Sequence, residues 1–287
     1  MTVDDAQVKA RVRQFYDRVG WQQQASGLYQ NARYEDLRAV SSEYIHRCHL
    51  RVGRHLCHQG KYLLDAGSGP IQYPEYLTYS QGYTYRVCLD ISIVALIEAR
   101  LRIGEHGLFV VADVANLPFK TGVFEGIVSL HTLHHLPAVE HKKAYLDFYR
   151  TLKSGARMVV VNGWTVSPLM RFFRPLINGM DRLAGLFSRR SIRLEGPTEE
   201  KPVKPSSEKP TGTFVNKMDA QSLKSDLNGM KVDILVWRSV SVRFLRSVIK
   251  EKLAGRLILK LIFRLEEWFP HFFGEKGQYP LIVIPKD

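Results

Sequence analysis

The segment Asp65-Ala66-Gly67-Ser68-Gly69-Pro70 follows a short apolar run, Tyr62-Leu63-Leu64. Two glycines there leave a main chain of minimal bulk at a strand end, where a ligand can approach it closely. One Gly-x-Gly is weak evidence, since Pro70 and Ile71 do not complete the dinucleotide pattern Gly-x-Gly-x-x-Gly. Its weight comes from the residues that close the next three apolar runs. Asp90 closes the second run and precedes Ile91, at the spacing of about 20–25 residues where a carboxylate accepts hydrogen bonds from ribose hydroxyls. A third run ends in Ala112-Asp113-Val114, and a fourth in Ser129-Leu130-His131-Thr132-Leu133-His134-His135. Imidazole is suited to take a proton near pH 7, which makes His131 the first candidate for a general base and His134 the second.

Elements of a particular kind must carry these residues. The apolar runs at 62–64, 85–89, 108–111, 126–130 and 158–161 are continuous rather than alternating, as strands buried on both faces are. Between them, 93–103 and 139–152 are long enough for helices, so the alternation predicts βαβ units and a parallel sheet covered on both sides. Helical spacing is expected over 5–19 and, less cleanly, over 34–56. After Trp164 the regularity weakens, and residues 195–213, rich in Pro, Glu, Lys and Ser, read as a mobile loop. A helix at 220–227 and strands near 232–237 and 281–284 resume the pattern, with a basic, strongly apolar helical region at 242–273 between those strands.

With four consecutive strand ends in hand, the sequence resembles the class I S-adenosylmethionine-dependent methyltransferases, of the small-molecule type similar to those of ubiquinone and menaquinone biosynthesis. LLDAGSGP resembles the family's first motif, DIS at 90–92 the second, ADVANLPF the third, and FEGIVSLHTLHHLP the segment after the fourth strand. Glu125 stands where the family usually has Asp, and Ile71 where many members have a third glycine. The resemblance implies an α/β, Rossmann-like doubly wound, mostly parallel seven-stranded sheet with an N-terminal helical lid and inserted helices. It also implies S-adenosyl-L-methionine as cofactor and S-adenosyl-L-homocysteine as product. Asp65, Ala66, Gly67, Ser68 and Gly69 would then shape the methionine end of the site. Asp90 and Ile91 would hold the ribose, Asp113 and Val114 the adenine, and Leu130 and His131 the methionine amine. Tyr16, with Trp21 and Tyr29, would belong to the lid.

Lys and Arg number 41 against 28 Asp and Glu, a net charge of +13 in 287 residues, which points to an anionic partner. Basic residues interleaved with large apolar ones at 165–194 and 238–273 suit a greasy acceptor or a membrane interface. Three cysteines without a CxxC pair predict reduced thiols and a cytoplasmic protein, peripheral to the membrane at most. The cluster His46, Cys48, His49, His55, Cys57 and His58 lacks metal-ligand spacing, so no metal is expected.

The chain is therefore expected to divide into a lid over 1–60, a cofactor-binding core over 61–164, an insertion with its loop over 165–213, and the rest of the sheet over 214–287. The expected reaction is methyl transfer to a hydroxyl, ahead of carbon or nitrogen, of a small or lipid-linked acceptor. One alternative is a nucleic-acid methyltransferase, disfavoured because the fourth strand does not end in Asn/Asp-Pro-Pro-Tyr and no Pro-Cys comes after it. The other is a membrane-associated protein that binds the cofactor without turnover. The oligomeric state is left open.

Overall fold

The apolar runs form one seven-stranded sheet in a computed structural model that describes residues 5–22, 29–192 and 213–287. The strands are β1 (Gly60–Ala66), β2 (Tyr83–Asp90), β3 (Gly107–Val111), β4 (Phe124–Leu130), β5 (Leu152–Val161), β6 (Asp233–Arg238) and β7 (Tyr279–Pro285). Their order is β3-β2-β1-β4-β5-β7-β6, and β7 runs antiparallel to both its neighbours. This is the Rossmann-like, mostly parallel seven-stranded sheet expected from the sequence.

Continuous apolar strands are needed because both faces are covered. Leu64, Ile127, Met158, Val160, Ile282 and Ile284 pack with Ala144, Tyr145 and Phe148 of the helix Ala138–Thr151. The alternate residues Leu63, Val128, Val159, Val161, Leu281 and Val283 pack with Tyr44 and Cys48 of the helix Ala39–Arg51, Phe244 of Val242–Val248, and Phe263 of Gly255–Trp268. A fully buried side chain of this size contributes about 1.5–3 kcal/mol.

Local chemistry moves several helix boundaries away from what periodicity predicts. The helical stretch at 5–19 is an α-helix over Asp5–Phe15 followed by a single wider turn, Tyr16–Gly20. The stretch at 34–56 becomes helical only at Ala39, because Asp36 accepts bonds from Arg38 Nε (2.7 Å) and Ser41 Oγ (2.6 Å) and holds Arg38 extended. The region 242–273 breaks twice. Ala254 is left-handed at φ 54°, and Pro270, which has no amide hydrogen, lies just past the end of Gly255–Trp268. The less regular stretch 165–194 contains helices Pro168–Phe172 and Arg174–Ile192. The expected loop 195–213 falls outside the described residues except for Thr213. No helix among the described residues is long and apolar enough to cross a membrane.

Candidate active site

The polar strand ends meet at one edge of the sheet. Gly67 (φ 77°) and Gly69 (φ 53°) turn the chain out of β1 in left-handed conformations. A Cβ on Gly67 would lie 2.3 Å from the Thr132 side chain, so the first glycine is required by its neighbour as well as by its backbone. Ile71, at φ 54°, keeps the left-handed conformation although it is β-branched, at a cost of about 1–2 kcal/mol. Its side chain is fully buried with Cys88, Leu96 and Ala99, outside the cavity. The substitution of a third glycine therefore leaves the crevice clear.

Asp90 braces this turn. Its Oδ2 accepts the Gly69 N–H and its Oδ1 the Ser92 N–H, each at 2.9 Å, while burial pushes its pKa up to about 6. Asp65 is already paired: Arg86 donates to its Oδ2 from Nε at 3.0 Å and from Nη2 at 2.5 Å, both residues being buried. Asp113 is held by the Ala115 N–H (2.9 Å), Asn116 Nδ2 (2.8 Å) and Lys9 Nζ (2.5 Å), and these bonds carry its pKa below the usual value against the opposing effect of burial.

Over this edge lies a cavity of about 480 Å³, within the range typical of small-molecule sites. The first turns of the chain roof it and are tied down at three strand ends. Lys9 bonds Asp113 after β3, Asp17 accepts from Ser92 Oγ (2.6 Å) after β2, and Tyr16 bonds His135 (2.7 Å) after β4. Trp21 stacks on Tyr16 with ring centroids 5.2 Å apart, and a Cβ on Gly69 would come 3.0 Å from the Trp21 ring. Tyr29 lies edge-on to Trp21 and donates to Glu98 at 3.0 Å. Of the region expected as a lid, the helix Ala39–Arg51 instead packs into the core.

The three histidines sit side by side in this cavity. His135 Nδ1 faces the Phe214 carbonyl at 2.8 Å and so must donate, which leaves Nε2 to accept the Tyr16 hydroxyl proton. His134 Nδ1 lies 3.3 Å from Asn162 Oδ1. His131 has left-handed backbone (φ 55°), bonds Val161 only through its amide, and packs edge-on to Trp237 and Tyr279 at 4.9 and 5.8 Å. Burial first, then nearby positive charges, pull His131 down to about 3; burial takes His135 to about 4 and His134 well below the ordinary value. All three rings are neutral at pH 7.

Asp65, Gly67, Ser68, Gly69, Asp90, Ile91, Asp113, Val114, Leu130, His131, His134 and Tyr16 all border the cavity. Ala66 does not; it is buried beneath the turn, its carbonyl accepting Ser129 Oγ at 2.7 Å. The far wall adds residues that sequence reasoning missed: Lys217, Trp237, Arg238 and Tyr279. Arg238 is 2% exposed, pairs with Glu35 at 2.5 Å, and stacks over Tyr279 and Trp237 at 4.7 and 5.0 Å. No group of three or more metal-ligating side chains exists among the described residues; in the histidine-rich helix His46 and His49 both face Glu75.

The residues fit the cofactor that the strand-end motifs imply. The glycine turn is open toward the cavity, Asp90 stands on its rim, and the Trp21 indole N–H is buried without a partner among the described residues.

Residues 64–160 match the family model described as a methyltransferase domain. No curated protein matches the chain in sequence. Among solved structures, phosphoethanolamine N-methyltransferase 1 of Haemonchus contortus, in complex with phosphoethanolamine and S-adenosylhomocysteine, aligns at 9% identity over 99% of this chain and 50% of its own, with a TM-score of 0.58. Geranyl diphosphate C-methyltransferase of Streptomyces coelicolor A3(2), with Mg2+, geranyl diphosphate and S-adenosyl-L-homocysteine, aligns at 15% identity over 98% of both chains (TM-score 0.53). The [4+2]-cyclase SpnF aligns at 14% over 97% of both (TM-score 0.51). At these identities the likeness is one of fold, and the cyclase has that fold too.

Proposed function

We propose that this chain is a class I S-adenosylmethionine-dependent methyltransferase that methylates a hydroxyl group on a small or lipid-linked acceptor. The observation that carries this reading is the position of His131 and His134 on the cavity wall, with His131 packed edge-on to the aromatic side chains Trp237 and Tyr279.

S-adenosylmethionine supplies a methyl group already activated on a sulfonium. The chain has to hold it, align the acceptor and exclude water. Gly67, Ser68 and Gly69 border the methionine end, Asp90 and Ile91 the ribose, and Asp113 and Val114 the adenine, with Leu130 beside the methionine amine. Tyr16 and Trp21 close the roof. His131 and His134 are the acceptor-side pair. A neutral ring nitrogen accepts a hydrogen bond from a hydroxyl and orients it; with burial pulling its pKa down to about 3, His131 is a weak proton acceptor at pH 7 and positions the hydroxyl rather than serving as the general base expected from the sequence.

Titration calorimetry with S-adenosylmethionine and S-adenosylhomocysteine tests the first half, and absence of binding at high micromolar concentration refutes it. The second half is read from label transferred out of methyl-labelled cofactor into lipid and aqueous extracts. A methoxy product is expected, and an N-methyl or C-methyl product refutes the hydroxyl assignment.

The helix Gly255–Trp268 supports a lipid-linked acceptor. Leu259, Phe263 and Glu266 face inward, Arg256, Lys260 and Arg264 form one exposed stripe, and Leu257, Leu261 and Trp268 form another, 66%, 57% and 69% exposed. Phe269 and Phe272, just past the end of this helix, are also exposed. An apolar face beside a basic one is the pattern of a helix lying in an anionic lipid surface. Co-sedimentation with phosphatidylglycerol vesicles, lost in Leu257→Glu/Leu261→Glu, is expected; equal recovery with phosphatidylcholine would argue against charge-assisted binding.

A further inference from the structure

Lys217 borders the same cavity; its carbonyl accepts the Thr165 hydroxyl, but among the described residues its ammonium has no hydrogen-bond or ion-pair partner. The carboxylates around it are all engaged elsewhere. Asp65 is paired with Arg86, Asp113 with Lys9 and Glu35 with Arg238, while Asp90 accepts two backbone N–H groups. The ammonium thus faces a cavity in which the described chain supplies it no counter-charge. Its other near neighbours are the imidazoles of His131, His134 and His135, which cannot be anions. Burial alone depresses the Lys217 pKa, in keeping with a cation short of compensation.

Position separates Lys217 from the cofactor end. Its Nζ lies 3.1 Å from where a Cβ of Gly163 would stand, just past β5, and Tyr279 at the start of β7 adjoins the same point. The glycine turn leaves β1, two strands away across β4, roughly 10 Å at the usual strand spacing. The wall on this side is aromatic and cationic: Trp237, Tyr279 and the buried Arg238, with Trp237 Nε1 and Arg238 Nε both lacking partners among the described residues.

We infer that the methyl acceptor carries an acid group, carboxylate or phosphate, and that Lys217 binds it on the β5–β7 side of the cavity. The inference rests on the proposed function for the word acceptor, and on the cavity alone for the anion. A bare ammonium in a partly dry pocket stands to gain from an anionic oxygen, since charge-assisted bonds are about twice as strong as neutral ones.

The test is binding of benzoate, phenyl phosphate and benzamide to the full-length chain, with and without S-adenosylhomocysteine, followed by tryptophan fluorescence and calorimetry. At least one acid is expected to bind about tenfold more tightly than the neutral amide; the preference between the two tells carboxylate from phosphate. Lys217→Gln and Lys217→Ala should abolish the difference, Lys217→Arg should keep it, and S-adenosylhomocysteine affinity should stay unchanged in all three. Equal binding of acid and amide, or no binding of either acid, overturns the inference. So does a loss of S-adenosylhomocysteine affinity in Lys217→Gln, which would put the ammonium on the cofactor's own carboxylate. Failure of S-adenosylhomocysteine to bind the unaltered chain refutes the proposed function instead, and the measurements without it still decide the anion site.

Discussion

Lys9 Nζ lies 2.5 Å from Asp113 Oδ2 and 2.6 Å from Glu140 Oε1, so one ammonium on the first helix joins the strand-end acid after β3 to the helix that comes after β4. Lys9→Met should free the roof at that point. With side chains 16–22% exposed, the pairs are only partly screened, and the expected loss is about 1 kcal/mol. Hydrogen exchange over residues 5–22 should quicken several-fold, and S-adenosylhomocysteine should dissociate faster by a similar factor in stopped flow. Unchanged exchange would mean that the Tyr16 and Asp17 contacts hold the roof by themselves.

Two glycines with positive φ should respond differently to alanine. At Gly67 the new Cβ meets Thr132 at 2.3 Å, whereas at Gly104 it meets nothing within 4 Å. Gly104→Ala should cost about 1–3 kcal/mol of stability, because Gly104 sits at φ 52°, ψ −132°, a region that residues with a Cβ avoid, and should leave cofactor binding intact. Gly67→Ala should weaken S-adenosylhomocysteine binding by at least about tenfold, because the turn or Thr132 must move. Calorimetry on both variants, alongside urea melts, separates the two effects.

Ile71→Gly relieves a strained backbone but empties a packed site between Cys88, Leu96 and Ala99. The strain is about 1–2 kcal/mol, against about 3–5 for losing a buried isoleucine and adding a glycine, so a net loss of about 2 kcal/mol is expected. Cofactor affinity should change little, since the side chain lies outside the cavity. A urea midpoint at or above that of the unaltered chain would show that strain outweighs packing.

Acid should destabilise the fold through the histidines. His131 and His135 titrate near 3 and 4 when folded, against about 6.5 when unfolded, and His134 is depressed as well. As pH falls from about 6.5 toward 4, the unfolded chain takes up protons that the folded chain refuses, so stability is whole above that window and falls within it. Asp90 works in the opposite sense: its folded pKa of about 6 lets the folded chain protonate first, which favours folding as pH drops toward 4. By pH 4 His131 and His135 together cost about 6 kcal/mol and Asp90 offsets about 2, so with His134 added a net loss on the order of 4 kcal/mol or more is expected. Asp90→Asn removes the offset and should steepen the loss in urea melts at pH 7, 5.5 and 4.5, values chosen to span about the titration window.

The sheet could be read from the sequence because strands buried on both faces leave unbroken apolar runs, as at Met158 to Val161. The strand-end acids were equally legible, since each sits within a few residues of its strand. Pairings across the chain were not. Arg86 gave no sign of reaching Asp65, because that contact depends on the register of β1 against β2. Lys217, Trp237 and Tyr279 converge only once β7 is placed between β5 and β6. The one available signal was a lysine flanked by apolar residues in Phe214-Val215-Asn216-Lys217-Met218, and such segments are common on surfaces. The delayed start of the helix at Ala39 reflects a local carboxylate contact at Asp36, to which hydrophobic periodicity is blind.

Because β7 runs against its neighbours, its first residue, Tyr279, stands at the same rim as the last residues of β5 and β6, with Arg238 opposite Tyr279. The forty-residue excursion between those two positions, residues 239–278, thus leaves and rejoins the rim at a single place. In the proposed function, nucleoside recognition is built from the other half of the sheet. Grafting a different excursion onto Arg238 and Tyr279 would therefore retune which molecule is modified while the donor half of the catalyst stayed as it is, a natural seam for diversification and for engineering.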